Sequence, residues 1–192
     1  MNKSINLVEH FEPYILKCRP GDWNHAKRVV EWIKRLGADH PNYELLVVVG
    51  YIHDIGWSEL VPLDRKLSRE ELLRIQPEAD KQTVELVKDA TKDLDLTADE
   101  LATVLRLIKA TEQYEAVQDD EEIMVDADNL SKTNPDHVKE KYARSDWLNI
   151  CGLFEEKLPQ RIKTKMGREL FETQLAQLRV TLSKELSVIG LG

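Results

Sequence analysis

The chain has 192 residues, 42% hydrophobic and 32% charged, and carries a formal net charge of -8. That composition fits one globular domain, residues 1-192, large enough to bury a core. The acidic balance argues against a protein whose main task is to grip a nucleic-acid polymer or an anionic membrane, and leaves room for a basic pocket holding one phosphate. Cys18 and Cys151 have no metal-type spacing and read as buried thiols of a reducing compartment. No apolar run approaches about 18 residues and none of signal-peptide type follows Met1, so a cytoplasmic protein is expected.

Nearly every segment shows a helical period. Ile5, Val8, Phe11 and Ile15 recur at three- and four-residue spacing, which predicts a first amphipathic helix bent or begun again at Pro13. Arg19-Pro20-Gly21 is a turn, and Asp22 is expected to cap a second helix with Ala26, Val29, Val30, Ile33 and Leu36 inward and Gly37 at its end. His25 lies one turn before Val29, at the border of that apolar stripe.

Residues 42–55 are ambiguous by pattern alone. Leu45-Leu46-Val47-Val48-Val49 is β-branched and short, like a buried parallel strand. No other segment has a strand pattern, and one strand cannot make a sheet, so a helix buried on all sides is predicted, with Pro41 near its start. The run delivers His53 and Asp54 side by side. Consecutive side chains diverge by about 100° on a helix, so the two can converge on one ion only where the helix frays, and Gly56 is read as the sign of such an end.

Trp57 to Leu67 reads as a loop. Ser68 and Glu71 have capping-box spacing for a short helix, Pro77 is expected to open the next one with Val84, Val87 and Leu94 inward, and Thr97 with Glu100 forms a second capping box. Asp119-Asp120-Glu121-Glu122 lacks the spaced ligands and glycine of a calcium loop and is read as complementing a helix N-terminus. The helix that follows embeds Asp126 and Asp128 among apolar residues, a costly placement unless each carboxylate is paired or bound. On a helix these two point about 200° apart, and periodicity leaves either one free to border the core. Asn134-Pro135 caps a further helix carrying Tyr142. Trp147, Leu148, Phe154 and Leu158 read as a covering layer. The stripe Phe171, Leu175, Leu178, Leu182, Leu186 reads as packing of a terminal helix on the domain, with a homodimer contact as the alternative.

His25, His53, Asp54 and one aspartate of the Asp126/Asp128 pair thus come from separate apolar segments. Two imidazoles and two carboxylates suit a divalent transition metal with open positions for water and substrate. The arrangement resembles the HD-domain superfamily of metal-dependent phosphohydrolases. The residues that carry the resemblance are His25 in Asp22-Trp23-Asn24-His25-Ala26, then His53-Asp54-Ile55-Gly56, then Ala127-Asp128-Asn129-Leu130, across roughly residues 15-135. It implies an all-α, HD-like helical bundle with additional C-terminal helices over about 136-192. It also implies one metal (Mn, Fe, Co, Ni or Zn, with Mg also acceptable) held by His25, His53, Asp54 and Asp128. The implied activity is hydrolysis of a phosphoester in a small phosphorylated molecule such as a nucleotide.

Two-metal members have further histidines after the His-Asp pair, whereas Gln76 to Lys109 contains none here and Lys109-Ala110-Thr111 stands where one would fall. Trp57 replaces the lysine that many relatives carry. Arg19, Arg65, Lys66 and Lys132 are candidate phosphate contacts, Trp23 and Trp57 candidate stacking surfaces, and Glu59 lies near the His-Asp pair with nothing to place it at the metal. The competing expectation is a regulatory module that keeps the metal or the ligand site without turnover.

Overall fold

The computed structural model describes residues 4–187; Met1–Lys3 and residues 188–192, the ends of the leader reading and of the C-terminal extension, lie outside the described residues. Among the described residues the chain is helical throughout, without a strand. In chain order the helices are α1 (Leu7–Ile15), α2 (Asp22–Leu36), α3 (Tyr43–Ile52), α4 (Arg69–Thr91), α5 (Ala98–Gln113), α6 (Asp119–Lys132), α7 (Pro135–Lys141), α8 (Trp147–Lys157) and α9 (Lys165–Ser187). The all-α expectation holds.

The hub is α3. It touches α1, α2, α5 and α6, and Leu45, Leu46, Val48, Val49, Tyr51 and Ile52 are all buried. Its β-branched run is helical because neighbours cover every side. Each fully buried aliphatic contributes roughly 1.5–3 kcal/mol, which outweighs the few tenths by which valine disfavours a helix. Gly50 lets α2 come close: a Cβ there would stand 2.7 Å from Ile33 Cδ1 and 2.9 Å from Val30 Cγ2. α2 also packs on α6, and α5 lies against both α3 and α6. The C-terminal helices α7, α8 and α9 pack on one another, with α6 beneath α9.

Both capping boxes form, Ser68 with Glu71 and Thr97 with Glu100, and Asn134 caps α7. Five local readings need correction. Asp22 does not cap α2; Gly21 does, with φ of 82°, while the Asp22 carboxylate turns back to accept from Arg19 N and Nε. Pro77 opens nothing, because α4 runs unbroken from Arg69 to Thr91. A mid-helix proline costs about 3 kcal/mol. Here Leu73, whose carbonyl loses its partner, is exposed to water, and the second half of α4 is anchored by buried Ala79, Thr83 and Val87. Val84 is 42% exposed rather than inward, and Leu148 faces solvent.

The fifth correction concerns Gly56. α3 does end where expected, with His53 at its C-cap in right-handed geometry, but Gly56 is not a left-handed cap: Gly21 is the positive-φ glycine among the described residues. Gly56 sits in the short 3-10 turn Ile55–Trp57, pressed against α4. A Cβ at Gly56 would lie 2.2 Å from Thr83 Oγ1 and 2.6 Å from the Ala79 carbonyl oxygen. Glycine is required here by close approach of backbones.

These contacts rank two substitutions. Gly50→Ala meets only side-chain methyls of Ile33 and Val30 and should cost about 1–2 kcal/mol, whereas Gly56→Ala meets backbone and should cost about 3 kcal/mol or more, at the overpacking end of core changes. Urea denaturation of both variants tests the order; equal losses would contradict it.

Candidate metal centre

Four side chains converge where α2, the end of α3 and α6 meet. His25 lies one turn into α2, on the face toward α6, and is 2% exposed. His53 is the last right-handed residue of α3, and Asp54 follows with φ -97° and ψ 9°. That break in the helix turns two consecutive side chains toward one point. Asp128, 3% exposed, comes from the middle of α6.

The distances are those of a closed group. His25 Nε2 lies 3.1 Å from His53 Nε2 and 3.2 Å from Asp128 Oδ1. His53 Nε2 is 3.7 Å from Asp128 Oδ1, and Asp54 Oδ2 lies 3.8 and 3.7 Å from the two Nε2 atoms. His25, His53 and Asp54 form a group that could hold a metal ion, their ligand atoms all within 4.8 Å of one another.

Hydrogen bonds on the far side of each ring set the tautomers. His25 Nδ1 is 2.8 Å from Ser131 Oγ, and that hydroxyl donates its own hydrogen to the Asp128 carbonyl at 2.8 Å. The ring must therefore donate to the serine. His53 Nδ1 is 3.2 Å from the Gly50 carbonyl, which can only accept. Both protons sit on Nδ1, and two bare Nε2 lone pairs face each other. Burial holds His25 below its ordinary pKa although Asp128 pulls the other way. Lone pairs in contact repel unless a cation lies between them, and this outward anchoring of Nδ1 is how metal-bound histidines are oriented. The donor set fits a divalent transition ion.

The carboxylates are compensated from within the chain. Burial pushes Asp128 up, yet Lys132, 2.5 Å away on the next turn of α6, outweighs it and holds Asp128 below the usual carboxylate range. Asp54 behaves alike, with the Arg19 guanidinium on its Oδ2 overcoming burial. Arg19 also bridges to Asp22, which Lys141 of α7 contacts from the other side.

Asp126 is elsewhere. It faces the start of α9, accepting from Lys163 N at 2.6 Å, Thr164 N at 2.9 Å and Thr164 Oγ1 at 2.7 Å. The two aspartates point opposite ways on α6, and Asp128 is the one beside the histidines. Other candidates scatter. Glu59 pairs with Lys17 at 3.2 Å. Arg65 pairs with Glu71 at 2.8 Å. Trp23 is buried against Tyr51. Trp57 is buried with Arg19 over its ring at 4.3 Å, so its face is already occupied. Lys66 reaches the cavity but donates to the Lys139 and Tyr142 carbonyls.

The group forms the floor of a cavity of about 990 Å³. Two wall residues were not singled out by sequence. His137 of α7 is buried with its ring 4.9 Å from that of His25 and its Nδ1 without a partner; its Asn134-Pro135 setting signals only a helix start. Glu112 stands on α5 with Oε1 3.5 Å from Thr83 Oγ1, the side chain that crowds Gly56. Partial enclosure in the wall, with Asp80 and Asp54 nearby, pushes its carboxyl up to about 7. Thr83 already donates to the Ala79 carbonyl at 2.9 Å, so its long contact to Glu112 does little to hold that carboxyl ionised.

Three variants separate these roles by metal content. Asp128→Asn should abolish stoichiometric metal, whereas Asp126→Asn should keep it and lose about 1–3 kcal/mol of stability from its broken cap on α9. Ser131→Ala, which removes the group that sets the His25 tautomer, should weaken metal affinity about 10–100-fold. Metal analysis after dialysis, with denaturation curves alongside, checks all three; loss of metal in Asp126→Asn alone would reverse the assignment.

No protein-family model, curated protein or solved structure matches this chain.

Proposed function

We propose that the chain is a mononuclear metal-dependent phosphohydrolase of HD type, acting on a small phosphorylated molecule. The observation that carries the reading is the pair of bare Nε2 atoms, 3.1 Å apart, flanked by Asp54 and Asp128 at the floor of a cation-lined cavity. His25, His53, Asp54 and Asp128 are the proposed ligands. A divalent ion held there supplies Lewis acidity toward a phosphoryl oxygen and an acidified water.

The chain's own residues supply the remainder. Ser131 and the Gly50 carbonyl orient the imidazoles. Arg19 and Lys132 keep the carboxylates ionised and fixed. Glu112 is the proposed proton donor: as the P–O bond breaks, its proton passes to the departing oxygen, which otherwise leaves as a poor alkoxide.

A second reading, a regulatory module without turnover, draws support from Arg19. Its guanidinium sits on Asp54 Oδ2, the same oxygen that faces the histidines, so an internal cation already compensates that carboxylate. Turnover decides between the two. Purified protein tested against nucleotides and sugar phosphates with Mn, Co, Ni, Mg and Zn should release phosphate, and His53→Ala should not. Metal-loaded protein inert toward every phosphoester would support the regulatory reading.

The Glu112 role has a pH signature. A carboxyl raised to about 7 is protonated below that pH and ionised above it, so a general acid is present at low pH and lost as pH rises. With alkyl phosphates kcat should fall about tenfold per unit above the Glu112 pKa. Glu112→Gln should lower it roughly 10²-fold or more and erase that limb. With p-nitrophenyl phosphate, whose leaving group needs no proton, the loss should be small. Equal losses on both substrates would exclude the assignment.

A further inference from the structure

The chain as a whole is acidic, 35 Asp and Glu against 27 Lys and Arg, but the cavity wall is the reverse. Nine Lys and Arg side chains line it against four carboxylates. Most of the nine are committed. Arg19, Lys132 and Lys141 pair with Asp54, Asp128 and Asp22 at the floor. Arg106 pairs with Asp120 at 2.6 Å and Lys157 with Glu156 at 2.6 Å, and Lys66 donates to two carbonyls. Arg69, Lys109 and Arg161 line the wall without an ion pair to a carboxylate among the described residues. One phosphate at the floor does not account for them.

Arg161 is the best placed of the three. Its guanidinium carbon lies over the Tyr114 ring, 3.6 Å from the centroid, and Tyr114 ends α5 in the left-handed region with φ of 56°. Stacking holds the guanidinium plane and leaves its edge N–H groups free, the fork that grips a phosphate by two hydrogen bonds. The same ring carries Lys132 Nζ at 4.9 Å, and Lys132 holds Asp128 Oδ2 at 2.5 Å. Those three legs laid end to end bound the distance from the Arg161 fork to the proposed metal ligand. A sugar-sized spacer fits within that upper limit.

We propose that the substrate carries a second phosphate, separated from the scissile one by such a spacer, and that Arg161 with Lys109 and Arg69 binds it at the cavity wall. This deepens the phosphohydrolase reading and rests on it for the role of the first phosphate. The floor group is neutral before the ion arrives and takes one phosphoryl group. The wall cations make a doubly phosphorylated small molecule a better ligand than its monophosphate.

Calorimetry on the metal-loaded chain, with adenosine 3′,5′-bisphosphate against adenosine 5′-monophosphate and fructose 1,6-bisphosphate against fructose 6-phosphate, tests this through affinity. The bisphosphate should bind at least tenfold more tightly in one or both pairs, and its advantage should shrink in raised salt. Arg161→Ala, at a half-buried position, and Lys109→Ala, at an exposed one, should each reduce the ratio, and the double variant should bring it near one. Arg161→Lys, which keeps the charge but not the fork, should fall between. Equal affinities in the parent chain, or a preference that survives in the double variant, would overturn the proposal. If the preference is present but no phosphoester is hydrolysed with any metal, the hydrolase reading fails while the second-phosphate site stands. A 3-phosphoglycerate arm that matches the bisphosphates would overturn the choice of phosphate over carboxylate.

Discussion

Two ionised carboxylates, Asp128 buried and Asp54 partly exposed, meet two buried imidazoles around one point, and the rest of the molecule can be understood as what makes that tolerable. An isolated buried carboxylate costs several kcal/mol. Asp54 and Asp128 escape that cost through Arg19 and Lys132, each in direct contact. The imidazoles give their protons outward to Ser131 and Gly50. Without an ion, charge is balanced while two lone pairs remain opposed. Adding a divalent cation relieves the lone pairs and leaves an excess of two positive charges, the complement of a phosphate monoester dianion. On the proposed reading, the same arithmetic that lets the site fold without metal makes the loaded site recruit phosphate.

The fold serves this convergence through a few close approaches. α3 must lie tightly on α2 for His53 to meet His25, and Gly50 provides that contact. The turn after Asp54 must press on α4, and Gly56 provides that. α6 then presents Asp128, Ser131 and Lys132 on one face, because positions three and four apart share a side of a helix. One carries the carboxylate, one sets the histidine tautomer, and one holds the other carboxylate oxygen.

Period and caps made the helices legible in sequence, and the His-Asp pair stood out because an apolar run led into it. Pro77 misled because its penalty depends on whether the orphaned carbonyl meets water, which a local pattern does not show. Gly56 was noticed for the wrong reason: crowding by α4 depends on a segment more than twenty residues away. The wall residues were hardest. Glu112, Lys109 and Arg161 look like any charges on amphipathic helices and turns, and only the folded cavity sets them apart. Trp57 and Trp23 erred the other way, since aromatic rings that sequence offers to a ligand are consumed by Arg19 and Tyr51.

The C-terminal helices contribute more than cover. α7 brings His137 and Lys141 to the cavity, and the turn before α9 brings Arg161. Asp126 ties that turn down through three hydrogen bonds on the opposite face of the same helix that carries Asp128. One helix therefore fixes both the floor of the site and the segment that bears its outermost cation. His137 follows the same logic in the interior. Burial and the neighbouring His25 hold it well below the ordinary histidine pKa, so it adds no charge to the floor. Its Nδ1 is buried without a partner, and a buried N–H lacking an acceptor is the rarer defect in proteins. The proton accordingly belongs on Nε2. On the proposed phosphohydrolase reading, a neutral donor so close to His25 would be available to a phosphoryl oxygen without competing for the cation position that the two bare nitrogens define.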